Sequence, residues 1–87
     1  MSWKIVFSKH AQKDAKKLSR AGLKEKALAI IAILHRNPYA TPPRFEKLVG
    51  ELSGAYSRRI NIQHRLVYQV LDDEMTVKVL RMWSHYE

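Results

Sequence analysis

The sequence predicts an α+β fold in the order β-α-α-β-β-β-β, an antiparallel sheet with a two-helix hairpin packed on one face. Three observations carry that reading. Residues 8–36 place apolar side chains at helical spacing, a proline-bearing stretch follows, and from Phe45 onward the apolar period is two.

Each element has a local cause. Trp3 to Phe7 reads as a short strand, because Ile5, Val6 and Phe7 favour extended backbone. Ser8 can cap the helix that follows. There Ala11, Ala15 and Leu18 recur at i, i+4 and i+7, with Lys9, Lys13, Lys16 and Lys17 between them, and Ala21-Gly22 ends the run. A second helix from Leu23 to Arg36 buries Leu23, Ala27, Ile30, Ile31 and Leu34, and Asn37-Pro38 stops it. The connection between the helices is short enough to force an antiparallel hairpin. Pro38, Pro42 and Pro43 make an extended linker. Phe45 to Val49 is a candidate strand, and Leu52-Ser53-Gly54 is a turn. Tyr56 to Asn61, His64 to Leu71 and Met75 to Trp83 then alternate as antiparallel strands, the last pair turning at Asp72-Asp73.

The 87 residues fit one domain, 1–87, with one modest core. Sixteen Lys and Arg stand against eight Asp and Glu, a formal charge of +8. That density favours a polyanionic partner, since each neutralised phosphate releases condensed counterions. A membrane surface, an acidic protein, or charge acting only on solubility are the alternatives. The chain has no cysteine, which excludes disulfides and thiolate zinc sites. The longest apolar stretch, Ala27 to Leu34, is too short to span a bilayer, and no leader is visible, so the cytoplasm is the expected address and no membrane role is expected.

Strand alternation orders the arginines. Leu66, Tyr68 and Val70 share one face, and Arg65, Val67 and Gln69 the other. A hairpin about Ile62 puts Arg65 opposite Arg59, and a hairpin about Asp73 puts it opposite Arg81. Three arginines would then cross one face. Like charges so placed repel, and need either a bound phosphate backbone or counterions such as Glu46 or Glu51. The terminal Ser84-His85-Tyr86-Glu87 can bring an imidazole and a phenol to this face for proton transfer and base stacking, or it is simply a frayed tail. His10, His35 and His64 read as surface or capping residues. Trp3 and Trp83 read as core or core edge.

Residues 51 to 68, Glu-Leu-Ser-Gly-Ala-Tyr-Ser-Arg-Arg-Ile-Asn-Ile-Gln-His-Arg-Leu-Val-Tyr, closely resemble the signature of the Txe/YoeB toxins of the RelE superfamily. The Asn37-Pro38-Tyr39 helix stop and the terminal His85-Tyr86 are also similar to that family's. The likeness implies a microbial-ribonuclease-like fold and ribosome-dependent cleavage of mRNA in the A site. The substrate's 2′-OH would attack the adjacent phosphate, with no metal and no cofactor. On the matching positions it implies Glu46 as general base, Arg65 as the cation at the phosphate, His85 as general acid and Tyr86 as a substrate-positioning group. Arg59 is implied as a phosphate contact. Arg58 beside it and Arg81 on the last strand are read as further RNA contacts, and Lys13, Lys16 and Lys17 as a grip on ribosomal RNA. The partners implied are a YefM- or PhD-like antitoxin, the ribosome and mRNA, and a homodimer is admissible. The chain departs from the family in carrying Glu87 after the tyrosine, a last strand one residue longer, Val49 at an often polar position, and no prolines immediately beside Glu46. A ribosome- or RNA-binding translation inhibitor without catalysis is the alternative.

Overall fold

Ser8 joins the first strand to the first helix in two ways. Its Oγ accepts from the Ala11 N–H at 3.0 Å, capping the helix, and donates to the Leu80 carbonyl at 2.8 Å, tying that cap to the last strand. The structure, a computed structural model, describes residues 2–50 and 54–83. Strand β1 is Lys4–Phe7, helix α1 is Lys9–Arg20 and helix α2 is Lys24–Arg36. Strands β2 (Phe45–Lys47), β3 (Ala55–Arg59), β4 (Arg65–Leu71) and β5 (Thr76–Arg81) complete the order. The helices and strands fall where the periodicity places them.

The helical hairpin is a product of its connector. Gly22 adopts φ +75, a left-handed conformation that side chains disfavour. The Leu23 N–H then reaches the Leu18 carbonyl at 2.9 Å, and the Gly22 N–H reaches the Ser19 carbonyl at 3.2 Å. This pair of bonds satisfies carbonyls of the last turn of α1 and reverses the chain within the three residues Ala21, Gly22 and Leu23. α1 buries Ala11, Asp14 and Leu18, and α2 buries Ala27, Ile30 and Leu34, against Leu66, Tyr68, Val77 and Val79 of the sheet. Trp3 and Trp83 both pack at the edge of this core. Lys13, Lys16 and Lys17 stay exposed.

The sheet has five strands in the order β1-β5-β4-β3-β2. It corrects the expectation of a purely antiparallel arrangement: β1 runs parallel to β5, so the sheet is mixed. Short turns dictate antiparallel neighbours for β2 to β5. No turn links β1 to another strand, so its partner and direction depend on where the helical hairpin packs.

The register between β3 and β4 is the expected one, with Arg59 opposite Arg65. The register between β4 and β5 is not. A three-residue 3-10 turn, Asp72–Glu74, replaces a tight turn about Asp73, with Met75 at φ 48 closing it. A bulge then shifts the ladder between Val67 and Tyr68, so Arg81 lies opposite Val67 rather than Arg65. The expected row of three arginines is therefore a pair. Among the described residues no helix is long and apolar enough to cross a membrane.

Candidate active site

Strand alternation sorts β2 and β3 into two faces. On β3, Tyr56 and Arg58 turn toward the helices, while Ser57 and Arg59 turn away. On β2, Phe45 accompanies Arg58 on the inner side and Glu46 pairs with Ser57 on the outer one. Arg65 enters from β4 directly opposite Arg59. The result is a cleft of about 290 Å³ on the sheet, lined by Pro43, Arg44, Glu46, Ser57, Arg59 and Arg65.

Among the described residues, three guanidinium groups and a single carboxylate line this cleft. Glu46 Oε2 lies 3.4 Å from Arg65 Nη1. The glutamate side chain is 52% exposed, so the pair is a solvated one, with a net strength of about 0–1 kcal/mol. An incoming phosphate can therefore take over Arg65 at little cost. Among the described residues Arg59 and Arg44 have no ion-pair partner. The Ser57 hydroxyl is buried beneath the cleft without a hydrogen-bond partner among them. No group of three or more His, Cys, Asp or Glu able to hold a metal occurs among the described residues.

The structure brings Glu46, Arg59 and Arg65 together. Arg58 is fully buried and cannot meet RNA at the surface. Its Nε donates to the Tyr68 hydroxyl at 3.0 Å, Nη1 to the Pro43 carbonyl at 2.6 Å and Nη2 to the Pro38 carbonyl at 2.9 Å. This corrects the reading of Arg58 as an RNA contact: neighbours in a strand face opposite ways, so Arg59 outward puts Arg58 inward. Arg81 is drawn to the first helix instead of facing Arg65: its Nε donates to Asp14 Oδ2 of α1 at 3.0 Å. Lys13, Lys16 and Lys17 form a separate basic surface on α1. His85 and Tyr86, and Glu51 as a possible counterion, lie outside the described residues.

Four residues gain roles that the sequence reading does not give them. Ser57 was legible, since Arg59 outward implies Ser57 outward. Arg44 lies in the linker, where no period exists to place it. Asp14 gave a signal, being the one acid within the buried Ala11–Leu18 stripe. His64, expected as a surface or capping group, instead stacks its ring on Trp83, with centroids 4.0 Å apart and planes at 21°, and its Nδ1 engages the Trp83 carbonyl.

Asp14 is 2% exposed. Burial raises its pKa, but the Met82 N–H, the Arg81 guanidinium and the Lys17 charge outweigh that and hold it below its ordinary 3.8. A carboxylate depressed on folding contributes stability that is present above its unfolded value and lost as pH falls through the folded one. Urea midpoints measured across the acid range are thus expected to fall as pH drops below 3.8. An Asp14→Asn variant is expected to be less stable near neutrality and to show a shallower acid limb. An acid limb equally steep in both proteins would show that Asp14 does not set the acid stability.

A mixed five-stranded sheet with a helical hairpin on one face and a cationic, glutamate-bearing cleft on the other defines a small basic α+β domain built to meet an anionic ligand. Residues 7–86 match the family described as YoeB-like toxin of bacterial type II toxin-antitoxin system, and the chain belongs to that family. Toxin YoeB of Mycobacterium bovis is 46% identical over 57 residues, which span 66% of this chain and 65% of that protein, just under two thirds of its length. Among solved structures, the YoeB/ParE toxin from Agrobacterium tumefaciens superposes with a TM-score of 0.86 at 32% identity, covering 95% of this chain and 99% of that one. The toxin of the YoeB-YefM complex from Staphylococcus aureus gives 0.80 at 34% identity, covering 99% of this chain and 100% of that one. The Staphylococcus aureus YoeB has also been solved as a dimer.

Proposed function

We propose that this toxin is an endoribonuclease that cleaves mRNA in the ribosomal A site by internal transfer. The observation that supports it is the meeting of Glu46 and Arg65, 3.4 Å apart, with Arg59 beside them in one cleft. Such cleavage needs a base, a cation and an acid. Glu46 removes the proton from the 2′-OH, whose oxygen attacks the adjacent phosphorus. Arg65 and Arg59 stabilise the charge that gathers on the non-bridging oxygens. The P–O5′ bond breaks and the departing oxygen takes a proton, leaving a 2′,3′-cyclic phosphate and a 5′-OH. The resemblance assigns that last proton to His85 and substrate positioning to Tyr86.

The same reading assigns the exposed Lys13, Lys16 and Lys17 to ribosomal RNA, whose phosphates would release counterions on contact. It gives the chain a YefM-like antitoxin as partner and admits a homodimer, on the pattern of the Staphylococcus aureus relative. Its place of action is the cytoplasm, where the ribosome and message are.

The test is to map RNA 5′ ends in cells expressing the toxin. New 5′-hydroxyl ends are expected inside translated messages, dependent on translation and suppressed by the antitoxin. Arrested translation without such ends would leave the non-catalytic inhibitor as the better account.

A further inference from the structure

We infer that Ser57 is a positioning residue for the base: when an RNA phosphate draws Arg65 away from Glu46, the Ser57 hydroxyl donates to the freed carboxylate and holds it for the 2′-OH. This rests on the reading of the cleft as a nuclease site with Glu46 as its base.

Ser57 is 2% exposed, and its Oγ has no hydrogen-bond partner among the described residues. A hydroxyl buried in that state lowers stability, and an alanine at the same place would not. The hydroxyl has a hydrogen to give, and the free protein holds nothing that takes it.

The sheet order shows what can take it. Strand β3 lies between β2 and β4. Ser57 is paired with Glu46 of β2 on one side and with Val67 of β4 on the other. Residues paired in this way hold their Cβ atoms about 4.5–5.5 Å apart, so a glutamate carboxylate can fold back onto a serine hydroxyl opposite it. In the free protein it goes further. Glu46 and Arg65 stand on the two strands that flank β3, so their 3.4 Å contact is made over β3 itself. Val67 carries no acceptor in its side chain, and Arg44, Arg59 and Arg65 can only donate. Among the described residues lining the cleft, Glu46 is therefore the side chain that can accept from Ser57.

Substrate changes the balance. A phosphate that binds Arg65 leaves the carboxylate charged and without the partner that oriented it. A donor fixed in the neighbouring strand supplies one hydrogen bond and leaves the second carboxylate oxygen for the 2′-OH. The base is then held in one geometry at the moment of transfer, where small misplacements are costly in rate.

The test compares wild type, Ser57→Ala and Ser57→Thr by kcat and KM on mRNA in programmed ribosomes across pH, and by urea midpoints of the free proteins. Ser57→Ala is expected to lower kcat about 10–10²-fold, the worth of a hydrogen bond to a charged group, with KM little changed. The acid limb of its kcat profile is expected to move to higher pH, because a carboxylate without that donor takes up a proton more readily. Arg44, Arg59 and Arg65 line the cleft with Glu46 in every variant, so the displacement reports the hydroxyl. The urea midpoint of Ser57→Ala is expected to equal or exceed that of wild type, an outcome that a structural serine would not give. Ser57→Thr keeps the hydroxyl and is expected to recover most of kcat. Unchanged kcat in Ser57→Ala, beside a cleaving wild type, would overturn this inference alone. A raised KM with kcat and its pH profile intact would also overturn it, since the hydroxyl would then bind phosphate instead. A wild type that leaves mRNA whole would refute the nuclease reading and this inference with it.

Discussion

Arg65→Ala is expected to lower the rate of mRNA cleavage on the ribosome by about 10²–10³-fold, the usual loss when one preorganised charge-stabilising donor is removed. Glu46→Gln is expected to cost about 10²–10⁴-fold, the range for a general base. The two losses should differ in form. Arg65 attracts the phosphate in the ground state as well, so its removal leaves the Glu46 carboxylate facing the incoming anion. KM should rise while kcat falls. Glu46 has the opposite ground-state effect, since its charge competes with phosphate for Arg65 across 3.4 Å. Removing it should lower kcat and leave KM unchanged or smaller. Initial rates over a range of programmed-ribosome concentrations would separate the two patterns. Equal increases in KM for both variants, with kcat intact, would make the cleft a binding surface and not a reaction centre.

Arg58→Ala is expected to destabilise the fold by about 3–5 kcal/mol, as truncation of a large, fully buried side chain typically does. This is a large share of the roughly 5–15 kcal/mol that holds a domain together. Arg58 is the largest of the fully buried side chains, and among the described residues it has no carboxylate partner. Two carbonyls, the Tyr68 hydroxyl and the face of Phe45, 4.9 Å from the guanidinium carbon, solvate its charge instead. Burial raises the Tyr68 pKa above its ordinary value against the opposing pull of Arg58, so the phenol stays protonated. Removing Arg58 opens a void and strips the Pro43 carbonyl of its bond, whereas the Pro38 carbonyl keeps the Tyr68 hydroxyl at 3.1 Å. Arg58→Met fills the volume and should cost less, about 1–3 kcal/mol for the unsatisfied group. Urea denaturation would rank wild type, Met and Ala in that order. Because Pro43 and Phe45 flank the approach to Glu46, both variants should also slow cleavage. An Ala variant as stable as wild type would contradict the role assigned to this guanidinium.

The sequence by itself determined the elements and their faces. The lysine-studded stripe from Ala11 to Leu18, the glycine at the hairpin and the period-two strands each state their structure locally, because side-chain spacing is a property of adjacent residues. The pairing of Arg59 with Arg65 was legible for the same reason, as a short hairpin fixes its own register. Charge alone offered Glu46 and Glu51 equally as counterions to the arginines, and only the resemblance singled out Glu46 beside Arg65, since nothing local links two residues on strands that are not neighbours. The tertiary structure alone decided the rest. It put β1 parallel to β5, slid Arg81 past Arg65 by a bulge and gave it to Asp14, and laid Trp83 on His64. Each of these outcomes depends on which distant surfaces pack together. The Arg81–Asp14 bond joins residues 67 positions apart, a separation over which spacing carries no information and only the shape of the core does.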